Sequence, residues 1–90
     1  MAIIAMFDAT GATAQKYEET VRRLTDMGLG APEGRLYHVC YGNKDSLQVI
    51  EVFESPADLE AFGAKLMPLL QEFGIQATPT VLEVHNIVQK

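Results

Sequence analysis

Disulfides, membrane spans and basic patches are all missing from this sequence. Cys40 is the single cysteine among 90 residues, so no internal disulfide staples the chain. A secreted, cross-linked fold is set aside in favour of a reducing cytoplasm. The apolar stretch from Met1 to Phe7 meets Asp8 after seven residues and has no basic flank. It is too short for a signal core or a bilayer span and reads as a strand. Lys and Arg number 7 against 12 Asp plus Glu, a net charge of −5, and no basic cluster exceeds the Arg22-Arg23 pair. Nucleic acid and anionic membrane are poor partners for such a surface. Without internal repeats, low-complexity tracts or a linker, one domain is expected over residues 1–90. The glycine-rich run from Gly28 to Gly34 has no strand before it and no helix after it, so it is not a phosphate loop.

Against these absences stand two strands that are apolar on both faces. In Ala2 to Phe7, Ile3, Ala5 and Phe7 alternate with Ala2, Ile4 and Met6. In Gln48 to Phe53, Val49 and Phe53 alternate with Ile50 and Val52, and Glu51 interrupts. A strand that is oily on both sides must be buried on both sides. Ninety residues bury only roughly 60 to 65% of their unfolded surface, and this sequence supplies two helices, enough for one face of a sheet. The other face is expected to meet a second copy of the chain.

The first helix is capped by Thr13 and runs to about Met27, with Tyr17, Val21 and Leu24 on one face. The second opens on Ser55-Pro56-Ala57-Asp58, a capping serine, a proline at the first helical position and an acid three residues after the cap. Its stripe is Leu59, Phe62, Leu66, Leu69, Leu70 and Phe73, and Pro68 is expected to kink it or start a fresh turn near Met67. Strand 2 spans about Arg35 to Tyr41, and strand 4 about Thr80 to Val88, entered through Pro79. The order βαββαβ predicts an α+β, ferredoxin-like fold. Its four-stranded antiparallel sheet has the order 4-1-3-2 with both helices on one face. Strands 1 and 3, the two-sided ones, are then central.

A hairpin turning symmetrically about Lys44 and Asp45 sets His38 opposite Glu51, Cys40 opposite Val49 and Leu36 opposite Phe53. A carboxylate beside an imidazole orients the ring, an arrangement suited to a general base or to holding a polar ligand group. The plainer reading is a cross-strand polar pair that satisfies itself. His85 is placed on strand 4, lining the same cavity or capping the sheet. His38, Glu51 and His85 make a metal site only by tertiary coincidence, and none is assigned. Cys40 reads as a small buried hydrophobe. Tyr37 and Tyr41 fall on the opposite face from His38, the side expected to meet the twin subunit.

The segment Val49-Ile50-Glu51-Val52-Phe53-Glu54-Ser55-Pro56, followed by an amphipathic helix, resembles the dimeric α/β-barrel superfamily. That group includes antibiotic-biosynthesis monooxygenases and heme-degrading monooxygenases. The resemblance is nearer to small uncharacterised members carrying Leu36-Tyr37-His38, Leu66-Met67-Pro68-Leu69-Leu70 and Val84-His85-Asn86. It implies a homodimer whose two sheets form a barrel, with a small organic ligand held between sheet and helices. Carried over, Phe53 is the strand-3 aromatic of the pocket, and Glu51 and His38 share its pocket-facing side. Where the heme-degrading branch has a helix-2 histidine, this chain has Phe62, Gly63 and Ala64, and strand 1 lacks that branch's Asn. The resemblance thus points to a monooxygenase or isomerase that needs no cofactor. His38 would act as base, Glu51 as its orienting group, and Phe53 and Phe62 as packing for the substrate. Its rivals are a non-catalytic binding module and a structural or interaction module of the same fold.

Overall fold

The computed structural model describes residues 1–89, leaving aside the side chains of Ala9 and Thr10. Its elements are β1 (Ile3–Thr10), α1 (Ala14–Asp26), β2 (Arg35–Asn43), β3 (Ser46–Phe53), α2 (Pro56–Glu72) and β4 (Gln76–Glu83). The strands form one antiparallel sheet in the order β2-β3-β1-β4, the expected 4-1-3-2 order read from its other edge. The two-sided strands β1 and β3 are its centre.

Local chemistry sets the helix ends. The Thr13 hydroxyl accepts from the Lys16 N–H at 3.3 Å. Ser55 Oγ accepts from the Asp58 N–H at 3.2 Å and donates to the Asp58 carboxylate at 3.0 Å, so an orphan donor of each first turn is satisfied. At the end of α2, Gly74 turns with φ +70° and lets the Ile75 N–H reach back to the Leu70 carbonyl at 2.8 Å. Between these caps α2 is one helix that includes Pro68, so no separate helix begins near Met67, where a kink or a fresh turn was expected. The packing of Phe62, Leu66, Leu69 and Leu70 on both sides of the proline holds the helix together despite the missing donor.

Both helices lie on one face of the sheet. Ile3, Leu24, Phe53, Phe62 and Leu69 form the main core between them, and Ala12, Leu70 and Ile75 form a second cluster at the other end of α2. The hairpin tip is bound to the start of α1 by Ala14 N–H to Lys44 O at 2.6 Å and Leu47 N–H to Ala12 O at 2.8 Å.

Two corrections to the sequence reading matter for the site. β4 begins at Gln76 and ends at Glu83, so Pro79 lies inside it and His85 beyond it. A proline fits there because β4 is an edge strand, with no neighbour on its free side among the described residues. The hairpin register holds from Asn43 opposite Ser46 to Tyr37 opposite Val52, but a bulge at Leu36 then sets Arg35, not Leu36, opposite Phe53. One inserted residue flips the alternation. Arg35 is thereby delivered to the helix-covered face and Leu36 is left exposed.

Candidate functional site

A cavity of about 140 Å³ lies between α1, α2 and the sheet. Phe7, Val49, Phe62, Leu66 and Leu70 supply much of its apolar wall, and Val21, 39% exposed, stands with Gly30 at its mouth. Thr20 also lines it, but its hydroxyl donates to the Lys16 carbonyl at 2.9 Å. The remaining polarity is concentrated on one side, where Tyr17, His38, Arg35 and Glu51 meet.

These four side chains form one chain of hydrogen bonds. Glu51, 2% exposed, is anchored in the central strand β3. Its Oε1 lies 2.8 Å from His38 Nδ1 and 3.3 Å from the Arg35 guanidinium. His38 Nε2 is 2.6 Å from the Tyr17 hydroxyl. Because a carboxylate only accepts, Nδ1 carries a proton, and in the neutral ring Nε2 is left to accept from the Tyr17 O–H. Arg35 also donates to the Gly30 carbonyl at 2.7 Å and lies 5.9 Å from the centre of the Phe62 ring. An acid in the middle of an apolar strand would be costly alone. Here two neighbours that bear or take up positive charge share it.

Burial pushes the Tyr17 hydroxyl above the ordinary tyrosine value, with the Cys40 thiol and Glu51 adding to the rise and Arg35 opposing it. Burial likewise raises the Cys40 thiol, and the neighbouring Tyr17 hydroxyl partly offsets that. Cys40 is therefore a weaker nucleophile than an ordinary thiol, and Tyr17 holds its proton firmly.

Of the residues singled out from the sequence, the fold brings His38, Glu51 and Phe62 to the cavity. Phe53 does not line it. Fully buried at the end of the sheet, it packs under Phe62 with ring centres 5.8 Å apart. His85 is exposed, past the end of β4 and away from the cavity. Among the described residues, no three His, Cys, Asp or Glu side chains converge as metal ligands would. Tyr17 and Arg35 were missed as site residues. Tyr17 is the polar-tipped member of the apolar α1 stripe, a signal present in the sequence, whereas Arg35 reaches the site only through the bulge.

The sequence matches no protein-family model and no curated protein. Its structure is similar to solved ones. A candidate antibiotic-biosynthesis monooxygenase from Deinococcus radiodurans superposes with a TM-score of 0.65 at 10% identity, covering 100% of this chain and 98% of that one. SnoaB, a cofactor-independent oxygenase from Streptomyces nogalater, gives 0.62 at 14% identity over 99% and 96%. A protein of unknown function from Nitrosomonas europaea gives 0.66 at 10% identity over 99% and 92%. The chain thus has a ferredoxin-like βαββαβ fold, similar to that of these solved structures. No helix among the described residues is long and apolar enough to cross a membrane.

Proposed function

We propose that this protein removes a proton from a small organic molecule held in the cavity, as a cofactor-independent monooxygenase or an isomerase. The observation that carries this reading is the Tyr17–His38–Glu51 chain on the wall of an otherwise apolar cavity. Both reaction types begin with loss of a proton. In an isomerase the proton returns at another atom, and in an oxygenase the electron-rich substrate then reacts with dioxygen. His38 is the base, Glu51 fixes its tautomer and stabilises the imidazolium that forms, and Phe62 packs the ligand. The fold shared with SnoaB is in keeping with this reading, although a fold alone does not specify a reaction.

A second reading, a non-catalytic binding module, is favoured by the fact that both ring nitrogens of His38 are already taken. A thermal-shift screen of small aromatic and enolisable compounds, followed by incubation of each hit in air, separates the two. The enzyme reading expects hits that are consumed with oxygen uptake or isomerised, at a rate that falls roughly a hundredfold or more in His38→Ala. Hits recovered unchanged support the binding module, and a screen without hits contradicts both.

The protein acts in this reading as a homodimer formed through the face of the sheet without helices. Val39, Tyr41 and Leu82 are exposed there, at 49%, 43% and 54%, and the Tyr37 hydroxyl on the same face is buried without a partner among the described residues. Sedimentation at micromolar concentration is expected to give twice the chain mass, and Ile50→Asp to give the monomer. A monomeric wild type contradicts the assembly.

A further inference from the structure

The polar side of the cavity holds a group that the proton-transfer role does not use. Arg35 has five N–H donors. Its bonds to the Gly30 carbonyl and Glu51 use two of them, and the longer, at 3.3 Å, is to a carboxylate oxygen already bound by His38. The guanidinium is held in place by those bonds and by the Phe62 ring. It lines the cavity together with Tyr17, and the two are joined through His38 and Glu51 into one network.

From this arrangement we infer that the ligand is a single-ring phenol or a similarly small enol, bound as its oxyanion between Arg35 and Tyr17. This rests on the proton-transfer reading above and names its substrate class. Size sets the first limit: about 140 Å³ is close to the ~150 Å³ apolar cavity that accepts one benzene ring. A larger fused-ring system would have to extend through the mouth at Val21 and Gly30.

Charge sets the second limit. With the ligand's O–H intact, Arg35 and Glu51 balance each other and His38 is neutral. On transfer, the ligand's O–H bond breaks and its proton passes to Tyr17 Oη, while the Tyr17 proton moves to His38 Nε2. The bond's electron pair stays on the ligand oxygen. Imidazolium and oxyanion then offset each other beside the unchanged Arg35–Glu51 pair, so the site gains no net charge at either stage. The regenerated Tyr17 O–H and the free donors of Arg35 both face the new oxyanion. A carboxylate ligand, already ionised on arrival, would leave one negative charge uncompensated and would offer the relay no proton.

The chromogenic phenol 4-nitrophenol tests this in the intact protein, because its anion is yellow and its neutral form is not. At a pH just below its solution pKa, binding is expected to turn the mixture yellow. The anion should be preferred by about tenfold over the neutral form, one pKa unit. Arg35→Gln should abolish that preference and Arg35→Lys should keep part of it, with thermal melts confirming that both fold. If Arg35→Gln does not fold, Tyr17→Phe serves the same comparison and should weaken the colour. Benzoate and a three-ring phenol should each compete about tenfold more weakly than phenol. Colourless binding, undiminished colour in the folded variant, or equal competition by benzoate overturns the inference and leaves the proton-transfer reading standing. Absence of binding by every compound overturns both.

Discussion

The two faces of the sheet are built from similar residues and end in opposite environments. On the helix-covered face Phe53 is fully buried and Glu51 nearly so, while on the other face Val39 and Tyr41 stand about half exposed. The difference lies in what covers each face: two helices bury one, and within one chain no helix covers the other. Polar residues follow the same division. The covered face holds the Tyr17–His38–Glu51–Arg35 network on the wall of a largely apolar cavity, where a hydrogen bond is electrostatically stronger than in water. In the proposed reading, chemistry belongs to the first face and assembly to the second.

The largest test of this asymmetry is Phe53→Ala, expected to cost roughly 3–5 kcal/mol in urea unfolding because it empties the centre of the core. Val39→Ala, at a concentration where the chain is monomeric, should stay within about 0.5 kcal/mol. Equal losses would mean that the two faces are equally buried. Next comes Gly34→Ala. Gly34 has φ +81°, and an added Cβ would run into the Asp58 carboxylate, so a loss of roughly 1–3 kcal/mol is expected from backbone strain alone. Since Gly34 precedes the bulge that delivers Arg35, this variant should also weaken ligand binding. A variant as stable as wild type would show that the bulge tolerates another geometry. Glu51→Gln keeps an acceptor for His38 but turns an amide toward Arg35, and should cost about 1–3 kcal/mol.

The smallest expected effect is a pH dependence. Tyr17 has its hydroxyl raised above the ordinary value of 10 by burial. The folded chain therefore holds that proton more tightly than the unfolded chain. Its contribution to stability is complete below about pH 10 and declines as the pH climbs from there through the raised value. Alkaline absorbance titration should show a late-ionising tyrosine that disappears in Tyr17→Phe. Loss of an ordinarily titrating tyrosine in that variant, with the late-ionising one kept, would place Tyr17 in water rather than against His38.

Much of this architecture was legible in the sequence because it rests on local signals. The Ser55-Pro56 cap, the stripes of α1 and α2 and the two-sided strands specify elements and order without reference to distant contacts. The His38–Glu51 pairing was legible too, since a two-residue turn at Lys44-Asp45 sets the register for seven residues on either side. What escaped depends on tertiary context. The bulge at Leu36 reverses the faces of Arg35 and Leu36, and no composition signal marks it. Phe53 was assigned to the ligand by the resemblance, as the strand-3 aromatic of the pocket, yet lying on the pocket-facing side does not mean reaching the cavity, and Phe62 packs over it. The extent of β4 was misjudged because Pro79 reads as a boundary, whereas an unpaired edge accepts it. Tyr17 was read as packing because its hydroxyl finds a partner only once α1 is docked on β2.

The central claim is that Glu51 fixes His38 with its proton on Nδ1, leaving Nε2 to exchange a proton with Tyr17. Nitrogen-15 NMR of the histidine rings, with His38 assigned through His38→Ala, reads this directly at a pH where the ring is neutral. The account predicts the Nδ1–H tautomer for His38, with that preference lost in Glu51→Gln and the Nε2 resonance shifted in Tyr17→Phe. A His38 found as the Nε2–H tautomer, or one indifferent to both substitutions, would contradict it.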